Sequence, residues 1–446
     1  MTITIEKIVY PGKALGRGED GIATFTDGAL AGEVVEVRIT KNKKTFREAK
    51  LLEVVKPSPD RITARCPSYG KCGGCSFQHT DYANQVKLKE GYVREHLEKH
   101  CPEISDVVNS PLKWNYRNKM EFSFFFGEKG ILDIGLHEKN EFNRYFPVPP
   151  CFICDSDFLP VTEIIRDFAR SSGLPVYDKR VQTGFYRHLV LRKGVKTGDL
   201  LVNLVVNNIA FPRDIFAPLV EALKGRITSF HLTLNGSVSD AVKVDEKRLL
   251  FGPEIIRESL TVKGRAYSFL VSPFSFFQTN TLGTEILYET VLDLGHFKDT
   301  DTVLDLYCGT GTIGIVIAPY AKRVFGVEQV EDAVKNAELN RAGNGLDNIS
   351  FWSGSVEKWI KSADVPAYNA LVLDPPRGGL SNKIIDFIVR TAPEKIIYVS
   401  CNPSTLARDL EAIIEKGGYK PVKLVPLDMF PHTYHVECVA ALEKLA

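Results

Sequence analysis

Alternation of apolar and polar positions dominates the start of the chain. ITIEKIVY, GIATFT, GEVVEVRI and EAKLLEVV alternate or are rich in β-branched side chains, with glycine-containing turns between them. Short strands with glycine punctuation predict a small β-barrel of the OB type over residues 1–57. A cysteine cluster follows, then YANQVKLKEGYVREHLEKH, whose apolar residues recur at helical spacing. Further on, NKMEFSFFF, HLVLRKG, LLVNLVVNN and SFHLTLNG predict strands of an antiparallel sheet, and PVTEIIRDFARSS a helix packed against it. These segments make a central α+β domain over 58–270. From 271 to 446 the rhythm changes. TVLDLYC, RVFGVEQ, ISFWSG, NALVLDPP, KIIYVSCN and a terminal segment ending HVECVAALE are apolar strands alternating with helical patterns. That is the mark of a doubly wound sheet of β/α units, so the expected class is α/β multidomain.

Composition narrows the partners. The 446 residues are 44% hydrophobic and 25% charged, which excludes a disordered, collagen-like or small disulfide-built chain. Lys and Arg number 56 against 55 acids, so a nucleic-acid binder would have to concentrate its cations locally. Two stretches do so. Arg38, Lys41, Lys43, Lys44, Arg47 and Lys50 face one acid, Glu48, with Phe46 among them. Lys179, Arg180, Arg187, Arg192, Lys193 and Lys196 have no acid between them and enclose Phe185 and Tyr186. An isolated charge run is ordinarily a solvated hairpin tip or strand face. Interleaved aromatics make both stretches equal candidates for gripping a single strand. The opening MTITIEKIVY lacks a basic segment followed by an apolar core, so no signal peptide is expected. A cytoplasmic location follows, and with it nine reduced cysteines that read as metal or redox ligands where they cluster.

The loop Asp305-Leu-Tyr-Cys-Gly309-Thr-Gly311-Thr-Ile-Gly314 joins a strand to a helix in the pattern G-x-G-x-x-G. Glu328 ends the next strand, where an acid can accept both ribose hydroxyls of an adenosine. Asp305 disfavours a pyrophosphate and suits the sulfonium or amino group of S-adenosyl-L-methionine. The fourth strand ends in Asp374-Pro-Pro-Arg377-Gly-Gly and the fifth in Ser400-Cys401-Asn402-Pro403. A lone buried cysteine is usually inert. Here the tail Phe430-Pro-His432-Thr-Tyr-His435-Val-Glu437-Cys adds two imidazoles and a carboxylate to the same sheet, with His435 and Glu437 two apart and so on one strand face. A thiol beside a carboxylate fits methylation at a pyrimidine C5. That carbon becomes nucleophilic only after a thiolate has added to C6, and a base must then remove its proton.

A separate cluster, Cys66-x5-Cys72-x2-Cys75 followed by Gln78-His79, supplies three thiolates, with Cys151 and Cys154 as candidates for a fourth. Spacing leaves zinc and an iron–sulfur cluster both open.

Taken together, the barrel, this cysteine cluster, F-F-Q-T-N, D-L-Y-C-G-x-G, D-P-P-R, S-C-N-P and H-T-x-H-x-E resemble the RNA uracil-5-methyltransferase family along essentially the whole chain. The resemblance implies a TRAM-like barrel and a Rossmann-like class I methyltransferase domain. It implies that Gln278, Tyr307, Glu328 and Asp374 line the S-adenosyl-L-methionine site, with Asp374 also near the target base. Cys401 matches the nucleophile, Glu437 the general base, and Phe276 an aromatic that packs into the RNA fold. Thr312 and Ser355 depart from the asparagines that some members carry. The family's cluster is [4Fe–4S], with Cys66, Cys72, Cys75 and Cys151 as ligands. The expected activity is 5-methyluridine formation in structured RNA, foremost 23S rRNA, by a monomer. Three rivals stand beside it: a tRNA uracil-5-methyltransferase, an amino-group nucleic-acid methyltransferase, and a non-catalytic iron–sulfur RNA-binding protein.

Overall fold

The computed structural model describes every residue except 142, 149, 213, 239–243, 363, 364 and 446. Five strands, β1 (Thr2–Val9), β2 (Lys13–Arg17), β3 (Ala23–Thr26), β4 (Val34–Asn42) and β5 (Phe46–Lys56), close into a barrel in the order β1-β2-β3-β5-β4. Alternation sends Ile3, Ile5, Val35 and Val37 inward. β2, KALGR, is absent from the predicted strands. Its glycine and two cations mask a short segment that the barrel completes by pairing it on both sides. The basic run of Arg38–Lys50 forms the outer end of the β4–β5 hairpin, where Lys41 pairs with Glu48 and Arg47 with Asp20.

Helix α1 (Tyr82–Leu97) starts at Asp81, whose carboxylate accepts the Asn84 N–H at 2.8 Å. Its Lys89 is fully buried. The ammonium donates to Asp428 at 2.6 Å and to the Phe430 carbonyl at 3.0 Å, so α1 fixes a segment near the carboxyl terminus.

The central sheet contains β6 (Lys119–Phe126), β7 (Leu132–His137), β8 (Tyr145–Pro147), β9 (Tyr186–Lys193), β10 (Leu200–Val206), β11 (Ser229–Leu234) and β12 (Glu246–Phe251), in the order β12-β11-β10-β9-β6-β7-β8. The expected antiparallel pairing holds except at β10–β11, which run parallel. A parallel pair needs a crossover, and α3 (Ala217–Leu223) supplies it. That helix and α2 (Phe158–Ser171) bury one face of the sheet, with Phe122, Phe158, Ile165, Leu189 and Phe216 in the core between them. Phe185 and Tyr186 lie in the same core with no exposed area, which corrects the expectation that they stack on RNA. Arg192 is also buried, with its guanidinium donating to the carbonyls of Ser272 and Ser275.

A hairpin, β13 (Ile256–Val262) and β14 (Arg265–Val271), packs Leu260, Tyr267 and Phe269 into the core of the carboxyl-terminal layer together with α4 (Thr281–Gly295). That layer then alternates β15 (Thr302–Leu306), α5 (Thr312–Ile317), β16 (Arg323–Glu328), α6 (Glu331–Gly343), β17 (Ile349–Ser353), α7 (Val356–Trp359), β18 (Ala370–Leu373), α8 (Asn382–Thr391), β19 (Lys395–Ser400) and α9 (Pro403–Gly417). It ends in β20 (Tyr419–Leu427) and β21 (Glu437–Lys444). The sheet order is β17-β16-β15-β18-β19-β21-β20, with β21 alone running antiparallel to its neighbours. Strand order reverses between β15 and β18, which opens a crevice at their carboxyl ends. Among the described residues no helix is long and apolar enough to cross a membrane.

Candidate active site

That crevice is a cleft of about 940 Å³, and it gathers Gln278, Tyr307, Glu328, Asp374, Cys401 and Glu437. They lie far apart in sequence. Tyr307 follows β15, Glu328 ends β16, Asp374 follows β18, Cys401 follows β19 and Glu437 opens β21. Parallel strands put these carboxyl ends on one edge. The antiparallel β21 brings its first residue to that same edge.

The glycine loop forms the floor of one end. Gly309 and Gly311 have φ of +56° and +76°, and Tyr307 itself has φ +66°. A tyrosine there is strained, a feature that clusters at functional sites. Glu328 spans the loop, accepting the Gly309 N–H at 3.1 Å through Oε2 and the Val330 N–H at 2.8 Å through Oε1. Asp305 does not reach the ligand space as the sequence suggested. It is fully buried beneath the loop, accepts the Gly314 N–H at 3.1 Å through Oδ2, and leaves Oδ1 without a partner. Burial, then the neighbouring Asp374, pushes its carboxyl well above the usual range. It therefore acts on the loop. Thr312 turns its hydroxyl to the Tyr288 hydroxyl at 2.7 Å, while Ser355 caps α7 and lines the cleft. Phe276 is 64% exposed at the cleft rim, and its carbonyl accepts the Thr310 hydroxyl at 3.1 Å.

The other end holds the titratable groups. Ser400 pairs with Cys438 at the end of the β19–β21 ladder, so Cys401 and Glu437 flank that last pair at the cleft. Burial raises the Cys401 thiol to about 11, with Glu437 adding to the shift and Arg377 opposing it. Burial raises Glu437 to about 8, reinforced by Asp374 and again opposed by Arg377. Burial raises Asp374 to about 7. Arg377 is thus a cation that favours the ionised forms of both Cys401 and Glu437, an effect its place in D-P-P-R did not disclose. Its Nη2 lies 3.4 Å from His435 Nε2. Burial and then Arg377 lower His435 to about 4, so its imidazole is neutral. His435 lines the cleft but precedes β21, so its position comes from the loop and not from strand alternation. His432 lies outside the cleft. It stacks on Trp114 at 3.6 Å and its backbone N–H donates to Gln85 at 2.9 Å.

One contributor comes from the barrel. Tyr10, after β1, packs edge-on against Tyr434 with ring centroids 5.8 Å apart. Its hydroxyl is raised by burial and then by the nearby Tyr434 and Cys401. Nothing in the local sequence marks this tyrosine.

The cysteine cluster stands apart from the cleft. Cys66, Cys72 and Cys75 are raised mainly by burial, and each is raised further by Cys151, so the four thiols are neighbours. Gln78 ties the segment together, accepting the Cys66 N–H at 2.9 Å and donating to the Cys75 sulfur at 3.2 Å. Cys154 is buried in the central core and its thiol donates to the Cys151 carbonyl at 3.3 Å. Among the described residues no three Cys, His, Asp or Glu side chains converge as a metal site.

Known proteins resemble this chain over its whole length. A family model described as tRNA (Uracil-5-)-methyltransferase matches residues 198–445, and a TRAM domain model matches residues 1–52. An uncharacterized RNA methyltransferase of Caldanaerobacter subterraneus subsp. tengcongensis is 40% identical, covering 100% of this chain and 98% of the relative. One from Listeria innocua is 35% identical, covering 99% and 97%. Among solved structures, a Pyrococcus abyssi tRNA (uracil-54, C5)-methyltransferase in complex with S-adenosyl-L-homocysteine superposes with a TM-score of 0.80 at 29% identity. That match covers 99% of this chain and all of the other.

Proposed function

Because this chain belongs to the tRNA (uracil-5-)-methyltransferase family, we propose that it methylates C5 of a uridine in structured RNA through a covalent Cys401 adduct. The reading is carried by one observation: Cys401 and Glu437 line the same cleft as Gln278, Tyr307, Glu328 and Asp374. S-adenosyl-L-methionine, when bound, supplies an electrophilic methyl group. The Glu328 carboxylate, the positive-φ glycines and Tyr307 fit its adenosine end, and Gln278 and Asp374 its aminoacyl end.

The target uridine must leave its stack to reach the cleft floor. The Cys401 thiolate adds to C6, and the electron pair moves to C5 as an enolate. C5 accepts the methyl group. Glu437 then takes the C5 proton, the double bond re-forms and the C6–sulfur bond breaks, returning the thiolate. Arg377 favours the anionic forms of both side chains at the moments they act. The carboxyl of Asp374, with its raised pKa, suits hydrogen bonding to the base edge.

The substrate proposed is 23S rRNA. Likeness to the Pyrococcus abyssi enzyme supports a second reading, tRNA. Mapping 5-methyluridine in total RNA with and without the gene decides between them. A 5-methyluridine lost from 23S rRNA supports the first, one lost from tRNA the second, and no change overturns both.

The same proposal gives Cys66, Cys72, Cys75 and Cys151 a [4Fe–4S] cluster that orders the RNA-binding face. The effect of Cys151 on each of the other three thiols supports it, and the burial of Cys154 in the core favours Cys151 as the fourth ligand. Anaerobically purified protein should hold about four irons and four acid-labile sulfides per chain. Stoichiometric zinc without sulfide would refute the cluster.

A further inference from the structure

We propose that the central sheet carries a second nucleotide-binding groove, separate from the catalytic cleft, that holds an unstacked base and adjacent phosphates of single-stranded RNA flanking the target. It rests on the RNA-methylation reading. The groove encloses about 510 Å³ at the β6–β7–β8 end of the sheet, a volume suited to a small ligand.

The floor is aromatic. On β6, Phe124 faces the helix-covered core, so Phe125 faces the opposite side. There its ring lies over Gly135, where an added Cβ would come within 2.7 Å of it. The Phe125 ring stacks on Tyr145 with centroids 5.7 Å apart and planes 25° apart. Tyr177 forms another wall, with the Arg187 guanidinium 4.2 Å from its ring centroid.

The rim is cationic. Arg144, Lys179 and Arg180 line it against two acids, Glu138 and Asp178, a surplus of one positive charge, while Arg187 is buried beneath them and donates to the carbonyls of Asn235 and Ser237. Lys71 pairs with Glu138 at 3.4 Å and Arg180 lies 4.0 Å from Asp178, so both acids are partly neutralised. The side chain of Arg180 is 92% exposed. Phe125 and Tyr177 are buried, so the half-buried Tyr145 is the ring a base would meet, with stacking for the base beneath charge for the phosphates, as a single strand needs. An acidic peptide would use the cations and leave the ring idle.

Between the groove and the cleft the β9 face is closed, with His188, Val190 and Arg192 all buried. His188 lines the groove, and Arg192, which holds the Ser272 and Ser275 carbonyls at the cleft wall, lies on the same face of β9. Four strand residues separate them, ~13 Å.

Fluorescence anisotropy of the full-length protein with fluorescein-labelled decauridylate tests the groove. The double variant Arg144→Glu/Arg180→Glu should bind about tenfold more weakly at moderate salt. Its slope of log affinity against log salt should fall by about 1.4, the value for two phosphate contacts on a single strand. Tyr145→Leu should weaken binding about fivefold or more with the slope unchanged. Both variants should bind S-adenosyl-L-homocysteine as the wild type does, which reports on folding. Wild-type affinity and slope in both variants would overturn the groove. So would displacement of decauridylate by polyglutamate at the concentration at which unlabelled decauridylate displaces it. The two readings fail separately. Wild-type protein that forms no 5-methyluridine removes the methylation reading without altering these titrations. Unaltered titrations in the variants remove the groove while wild-type methylation stands.

Discussion

Cys401 follows and Glu437 precedes the Ser400–Cys438 pair that ends the β19–β21 ladder, so both lie at its open end and line one cleft. A flat ring entering the cleft at this end meets a sulfur and a carboxyl group. Each group raises the proton affinity of its neighbourhood, and Arg377 lowers both.

This pairing separates two variants that would otherwise look alike. Cys401→Ala should abolish methyl transfer and give no covalent complex with RNA containing 5-fluorouridine. Glu437→Gln should still form the C6–sulfur bond and should accumulate a protein–RNA adduct, because the C5 proton stays in place. A denaturing gel reads both. Turnover by Cys401→Ala at the wild-type rate would refute the adduct.

The rate should depend on pH in a direction set by these groups. The proposed mechanism needs Cys401 and Glu437 as anions, and burial raises them to about 11 and about 8. We expect kcat/KM to climb from pH 6 to pH 9. Arg377→Gln removes the cation that opposes both shifts and should move the climb roughly one unit higher. An unchanged profile would mean that Arg377 does not tune them.

Stability should carry the opposite signature. The ordinary Glu437 pKa is 4.5 and the folded value is about 8, so across that window the folded chain binds the proton more tightly than the unfolded chain. The contribution is full below pH 4.5 and is lost as pH rises through 8. Glu437→Gln cannot ionise. Its melting temperature should match the wild type at pH 5 and exceed it by a few degrees at pH 9. Thermal scans at the two pH values decide.

Lys89 and Asp428 form a fully buried ion pair beneath the segment that carries His432 and His435. Lys89→Met leaves the Asp428 carboxyl without its cation and should cost about 3–5 kcal/mol in urea unfolding. Replacing both partners with apolar residues should recover much of that loss, because no lone buried charge then remains. A single variant of wild-type stability would show that Asp428 has another partner.

Strand and helix periodicity announced the barrel, the mixed middle and the doubly wound sheet, because each element advertises its buried face locally. G-x-G-x-x-G, D-P-P-R, S-C-N-P and H-x-E were legible for the same reason: each is a short segment whose residue types suit one strand end. The β10–β11 parallel pair was not legible, since strand direction depends on where a crossover helix returns the chain. Nor were the fates of Phe185 and Tyr186. Cations beside aromatics look the same in sequence whether a sheet turns the rings outward or into its core, and here they fill the core. Asp305 reads as a ligand group and proves a support for the loop, because strand alternation cannot say how deep a carboxyl lies. The sequence by itself determined which chemistry the chain can perform, since a thiol, a carboxylate and a nucleoside-binding loop are properties of residue type and local spacing. Tertiary structure alone decided which groups meet. Tyr10 and Cys401 are brought into electrostatic reach, and Arg377 into reach of Cys401 and Glu437, by the closing of a barrel and the register of β21. Such contacts form between segments tens to hundreds of residues apart, whose encounter no local pattern encodes.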